Sequence, residues 1–179
     1  VIGATMLVVL ILVAVVGPFL VDPKLANVYA VSPRLPPSAE HWLGSDTQGR
    51  DLWTVMILAI PNTLKIGLIA GIVGTFIGVV LALIAGFFGG LPDGVIRIIS
   101  DSLLTVPGIA ILVIIAANVE QMTIEVMALT VAALAWMFPT RTIRAQVLSM
   151  RERSYVEVAR ANGVGPWGLI FREIMPNLM

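Results

Sequence analysis

The stretch NTLKIGLIAGIVGTFIGVVLALIAGFF, residues 62–88, carries one charge, Lys65, in 27 positions. About 20 apolar residues suffice for a helix to cross a bilayer. Gly67, Gly71, Gly74 and Gly78 follow at spacings of four, three and four, so they share one helix face, and Ala82 and Ala85 extend it. Small residues let two helix backbones approach closely, which drives association in lipid, where the hydrophobic effect is absent. The stripe is read as a helix-packing face. A substrate-lining role is the alternative.

Working outward, three more runs have the same character, at residues 2–20, 95–117 and 124–139. Backbone polar groups in hydrocarbon must be paired internally, and no strand alternation argues for a barrel, so all four runs read as helices. Hydrophobic residues make up 58% of the chain and charged residues 12%, with a mean hydropathy of +0.98. A soluble domain has about twice that charge, so this chain must turn apolar surface to lipid. The fold class is an all-α integral membrane protein, a polytopic helical bundle forming one transmembrane domain over residues 1–179. Zero net charge leaves no broad basic surface for nucleic acid, and without cysteine no disulfide or thiolate site can form. The chain opens on Val1 with no positive n-region, so the first helix is read as already under way and the sequence as a piece of a longer chain.

The connections differ in kind. Residues 21–61 are polar with Pro23, Pro33, Pro36 and Pro37, and residues 89–94 read as a tight turn. Arg141, Arg144, Arg151, Arg153, Arg160 and Arg172 all follow the fourth helix, whereas the long loop holds only Lys24, Arg34 and Arg50. The positive-inside rule therefore places 140–179 and the N-terminus in the cytoplasm and 21–61 outside.

Groups that could do chemistry are sparse. Lys65 sits near one end of its helix. Arg97 and Asp101, four apart, are expected to pair with each other. No carboxylate lies near a helix centre, which weighs against an ion-coupled carrier or an intramembrane enzyme. His41 is the only histidine and reads as a solvated loop residue rather than a metal ligand, even with Asp46 and Asp51 nearby. Those two aspartates read as turn caps. There is no GxxxxGK[ST] phosphate loop.

The last forty residues are the most informative. Ser154 and Glu157 are spaced as a capping box, Asn162-Gly163 as a left-handed stop, and Pro166 as the first residue of a following helix that ends before Pro176. A short capped helix of about two turns is expected between them. It suits docking of a soluble partner. A hairpin lying on the headgroups is the alternative.

Several stretches then resemble one family. Glu157-Val158-Ala159, with Gly163 and Pro176 behind it, is similar to the Glu-Ala-Ala loop of ATP-binding-cassette importer permeases. The stretch from His41 to Asp51, HWLGSDTQGRD, resembles a signature of the C-type subunit in the dipeptide, oligopeptide and nickel permeases, with Gly44, Asp46, Gly49, Arg50 and Asp51 at its motif positions and Ser45 for the usual threonine. AGFFGG at 85–90 with Asp93, and RAQVLSMRERSYVE at 144–157, resemble two further stretches of that subunit. The resemblance implies the type I importer permease fold with six membrane helices, of which four are here. It implies a coupling helix in which Tyr155, Glu157, Ala159, Arg160, Gly163 and Pro176 dock an ATPase subunit. It implies as partners a second permease subunit, two ATPase subunits and an extracytoplasmic substrate-binding protein, in a prokaryotic plasma membrane. ATP and Mg would be held by the ATPases, with no cofactor on this chain and no catalysis by it.

Overall fold

The computed structural model describes residues 2–178. The chain divides into two compact units, Val1–Gly67 and Leu68–Met179, with the boundary inside one long helix. Among the described residues the structure is helical, with one isolated β-bridge between Ser45 and Asp51.

In the first unit α1 spans Ile2–Leu20 and buries only Gly17. A Cβ on Gly17 would lie 2.8 Å from Cγ2 of Ile57, so a helix crosses here at close range. Most other α1 side chains stay open, with Met6 64% and Phe19 87% exposed. Apolar exposure along a whole helix is tolerable only where lipid is the solvent. A 3₁₀ turn, Pro23–Ala26, is capped by Asp22, and an ordered loop follows.

The next helix, α2, spans Leu52–Phe88 and starts before residue 62, where the loop was expected to end. Its start is set by Asp51, whose carboxylate accepts from the Thr54 backbone N–H at 2.8 Å. Pro61 lies inside it, and a membrane helix tolerates proline because nearby groups re-satisfy the freed backbone.

In the second unit the turn expected over 89–94 contracts to Gly89, and α3 runs Gly90–Thr105. The helix expected over 95–117 is two helices, α3 and α4 (Gly108–Asn118), bent by 79°. Pro107 is the cause. It cannot donate a backbone hydrogen bond, and it drives Val106 into the extended region, φ −84° and ψ 128°. Helix α5 spans Ile124–Ala135 and α6 spans Met137–Met150, so this segment extends past the expected stop at 139. Pro139 lies in the first turn of α6, where its N–H would have had no helical partner. Among the described residues three helices, Ile2–Leu20, Leu52–Phe88 and the combined Ile124–Met150, are long and apolar enough to cross a membrane. The bent α3–α4 pair adds a fourth if it counts as one span.

Helix α2 meets α5 and α6 along small residues. A Cβ on Gly74 would lie 2.5 Å from Ala135 Cβ, and one on Gly78 would lie 2.9 Å from the Trp136 carbonyl oxygen. Ala82 and Ala85 are fully buried, and a Cβ on Gly86 would reach Val147 at 2.7 Å. Thr140 donates to the Trp136 carbonyl at 2.7 Å and lies 3.4 Å from the Gly78 carbonyl. Of the expected stripe, Gly74 and Gly78 make these contacts. Among the described residues nothing lies within 4 Å of a Cβ on Gly67 or Gly71. Ala70, one turn before Gly74, is buried, and Gly71 lies about 60° around the helix from Gly74.

Gly78→Val forces a side chain against backbone and is expected to cost about 1–3 kcal/mol. Gly71→Ala, on the same helix, stays within about 0.5 kcal/mol. Thermal unfolding in detergent compares the two, and equal losses would contradict the assigned contact row.

Candidate functional site

The loop holding the 41–51 signature is a self-bonded cap on α2. The Asp46 carboxylate accepts from the backbone N–H of Gln48 (2.8 Å) and Arg50 (3.0 Å) and pairs with the Arg50 guanidinium at 2.7 Å. Ser45 Oγ donates to the Ser32 carbonyl at 2.6 Å and accepts from Leu35 N–H at 2.8 Å. Gly44 and Gly49, both at positive φ, press their backbones against the carbonyl oxygens of Leu35 and Val31, leaving no room for a side chain. Trp42 and Trp53 stack at a tilt, with centroids 5.0 Å apart. His41, expected to be solvated, is instead largely covered, and its Nδ1 lies 3.0 Å from an Asp51 carboxylate oxygen. One carboxylate thus holds the helix start and the histidine together.

Burial works against ionising Asp51, but the Thr54 backbone amide, the Thr54 hydroxyl and His41 outweigh it and hold the carboxyl below the usual range. The Arg50 backbone amide does the same for Asp46, against a smaller effect of burial.

The second locus is the C-terminal end of α2 and what grips it. Asp93, in the first turn of α3, takes both Nε and Nη2 of Arg144 on α6, the second contact at 2.6 Å. Arg151 Nη1 donates to the Gly86 carbonyl at 3.0 Å. Two family-like stretches far apart in sequence are thus bound to each other. This ion pair replaces the expected Arg97–Asp101 pair. Arg97 and Asp101 line a recess beside it.

On this base sits α7, Ser154–Ala161. Its N-cap is Arg153, whose carbonyl accepts from Val156 and Glu157, and no side chain caps it. The expected capping box is therefore absent, because Ser154 is already the first helical residue. The other end matches the expectation. Gly163 has φ +83°, Val164 N–H reaches the Ala159 carbonyl (3.1 Å) and Gly163 N–H the Arg160 carbonyl (3.0 Å). That bonding pattern is a Schellman stop. Beyond it Pro166–Gly168 opens a short helix, α8, which passes into π-wound Leu169–Ile174 and a 3₁₀ turn, Met175–Asn177, past the expected end before Pro176.

Val156 is the anchor of α7. It is fully buried in one cluster with Leu83 of α2, Val147 of α6, and Leu169, Ile170 and Ile174, with Ala159 and Val164 packed at the edge. Tyr155, Glu157, Val158 and Arg160 are exposed, Val158 by 59%. The predicted docking residues therefore separate. Tyr155, Glu157 and Arg160 point outward, Ala159 is half-buried, Gly163 ends the helix, and exposed Pro176 lies in the 3₁₀ turn rather than on α7. Sequence reasoning missed Val156 as the anchor and Asp93–Arg144 as the lock. The signal was the apolar 156/159 spacing, and an aspartate in one motif with an arginine in the other.

These features define a multi-pass helical membrane protein with a short surface helix rigidly joined to its membrane core. Residues 78–179 match the family described as binding-protein-dependent transport system inner membrane component, and the chain belongs to that family. It is 33% identical over 144 residues to the glutathione transport system permease protein of Pectobacterium atrosepticum, covering 78% of this chain and 46% of that one. It is 31% identical over 177 residues to the probable D,D-dipeptide transport system permease protein of Escherichia coli, covering 98% and 58%. It is 30% identical over 178 residues to the dipeptide transport system permease protein of Bacillus subtilis, covering 99% and 55%. The chain spans about half the length of these curated relatives.

Asp51→Ala removes the helix cap and is expected to lower stability by about 1 kcal/mol. Because the folded carboxyl titrates below its unfolded value of about 3.9, its contribution is complete above that pH and is lost as pH falls through the folded value. Unfolding at pH 7 and pH 3 measures this, and an Asp51→Ala loss no smaller at pH 3 would contradict it. Gly163→Val places a β-branched residue at positive φ and is expected to cost about 1–2 kcal/mol. Protease sensitivity of the 154–164 segment rises accordingly, and an unchanged cleavage rate would contradict the Schellman assignment.

Proposed function

We propose that this chain forms the membrane-spanning permease part of an ATP-binding-cassette importer that moves peptides or a similar small solute inward. The names of its relatives, which transport glutathione, dipeptides and oligopeptides, support that substrate class. The observation that carries the reading is α7. It is a short helix with a Schellman stop, packed through Val156 into the core that holds α2 and α6, and its other face presents Tyr155, Glu157, Val158 and Arg160.

In this reading α7 docks in a groove of a separate ATPase subunit, and ATP with Mg is bound and hydrolysed there. Two such ATPases and a second permease subunit complete the transporter. ATP binding draws the ATPases together and carries the coupling helices with them. A push on α7 reaches the membrane helices because Val156 shares one packed cluster with Leu83 and Val147, and packed contacts transmit rigid-body motion rather than absorbing it. The polar loop 21–51 then faces outward, where a binding protein delivers solute, and the N-terminus and 140–179 are cytoplasmic. The arginine-rich 141–172 region supports that orientation.

The test is co-purification with the ATPase from membranes, comparing the unchanged protein with Glu157→Lys/Arg160→Glu and with Tyr155→Ala. These residues are exposed, so the variants should keep their thermal midpoint while ATPase recovery falls by roughly tenfold or more, as truncating an interface anchor does. Equal recovery in properly folded variants would overturn the docking role. A different soluble protein captured in place of an ATPase would favour a receptor or scaffold.

A further inference from the structure

We propose that a ladder of three aromatic rings, Phe88, Trp167 and Phe171, is a membrane-interface anchor that sits in the headgroup layer of the bilayer and holds the segment 166–177 against it. The rings are joined in order. Phe88 meets Trp167 edge-on with centroids 5.9 Å apart, and Trp167 stacks on Phe171 at 6.1 Å. They are 47%, 60% and 51% exposed. Their outward sides form one apolar patch, and Met175, one turn after Phe171 and also exposed, extends it. A contiguous apolar patch on a protein surface marks a contact.

The segment is apolar on two sides. Leu169, Ile170 and Ile174 are buried in the cluster shared with Leu83, Val147 and Val156. That core accounts for the first side only, since Trp167 and Phe171 stay outside it.

The depth of the patch says what covers the second side. The 21 residues from Leu68 to Phe88 carry no charge, and about 20 such residues cross the hydrocarbon layer. Charge returns at the end of that run. The Arg151 guanidinium donates to the Gly86 carbonyl, and the Asp93–Arg144 pair follows. Guanidinium groups are costly in hydrocarbon, so the apolar layer ends near Gly86. Phe88 stands just past that point, and its contact with Trp167 keeps the ladder at the same level. Tryptophan is favoured there because its ring is apolar while its N–H can reach water or a headgroup. Arg172, exposed beside Phe171, has a stem long enough to carry its charge to the lipid phosphates. The outward face of α7 is of the opposite kind, with Glu157 and Arg160 charged, as suits a soluble partner. Because 166–177 and α7 share the Val156 cluster, the anchor fixes the height of α7 relative to the bilayer.

Site-directed spin labelling of the full-length permease in liposomes tests this. The chain has no cysteine, so one label at a time is introduced by Phe171→Cys, with Phe76→Cys inside the α2 span and Val158→Cys on α7 as references. Power saturation compares accessibility to oxygen, which concentrates in lipid, with accessibility to a water-soluble nickel chelate. The oxygen-to-nickel ratio at 171 is expected to lie between the two references, several-fold above that at 158, and to stay there when the ATPase subunit is added. A ratio at 171 equal to that at 158 would put the patch in water and overturn the anchor. Shielding from both reagents would mean that protein covers the patch, and would overturn it too. Shielding present from the start would point to the second permease subunit, and shielding that appears on addition of the ATPase to that subunit. Met175→Cys reads the same patch with all three rings intact, and it decides if Phe171→Cys fails to fold. The readings taken without ATPase do not depend on docking through α7.

Discussion

Helices in lipid have no water to expel from between them, so they hold together only where their backbones can come close. In the second unit that condition is met along Gly74, Gly78, Ala82, Ala85 and Gly86 of α2, against Ala135, Trp136, Pro139 and Val147. The approach is near enough that a single added Cβ at Gly74, Gly78 or Gly86 would collide with a neighbour. Everything downstream depends on it. The contact places Arg144 where it can take Asp93 and Arg151 where it can reach the Gly86 carbonyl. It also places Val147 under Val156.

That dependence explains how a helix of eight residues can be rigid. An isolated helix of this length is unstable in water, because so few hydrogen bonds cannot offset the cost of nucleation. Here the helix is held by a left-handed stop at one end and by Val156 in the core at its middle. Its exposed residues can therefore be used for binding without being needed for folding. The signature loop on the first unit follows the same logic. Its charged residues are spent on one another and on the start of α2, so their role is structural.

Proline is where sequence reading and structure part most often. Pro61, Pro107 and Pro139 lie in similar apolar settings, and each suggests a boundary or nothing at all. Pro61 is carried inside a helix, Pro107 breaks one by 79°, and Pro139 occupies a first turn. The outcome turns on whether neighbouring groups satisfy the freed carbonyl and on where the helix restarts, and neither is a local property. The capping box failed for a related reason. The Ser154–Glu157 spacing is correct, but the helix begins one residue earlier than that spacing needs, with Arg153 as its cap.

The sequence by itself determined the solvent, the helical class, the family resemblance and the left-handed stop at Gly163. These follow from composition, run length and short-range backbone preference, which act over a few residues. Only the tertiary structure decided which glycines pack, that Asp93 pairs with Arg144 rather than Arg97 with Asp101, that His41 is held by Asp51, and that Val156 anchors α7. Each of those joins residues apart in the chain. Their meeting is set by how closely helices approach and by where a buried charge can find its partner, and both are properties of the packed molecule.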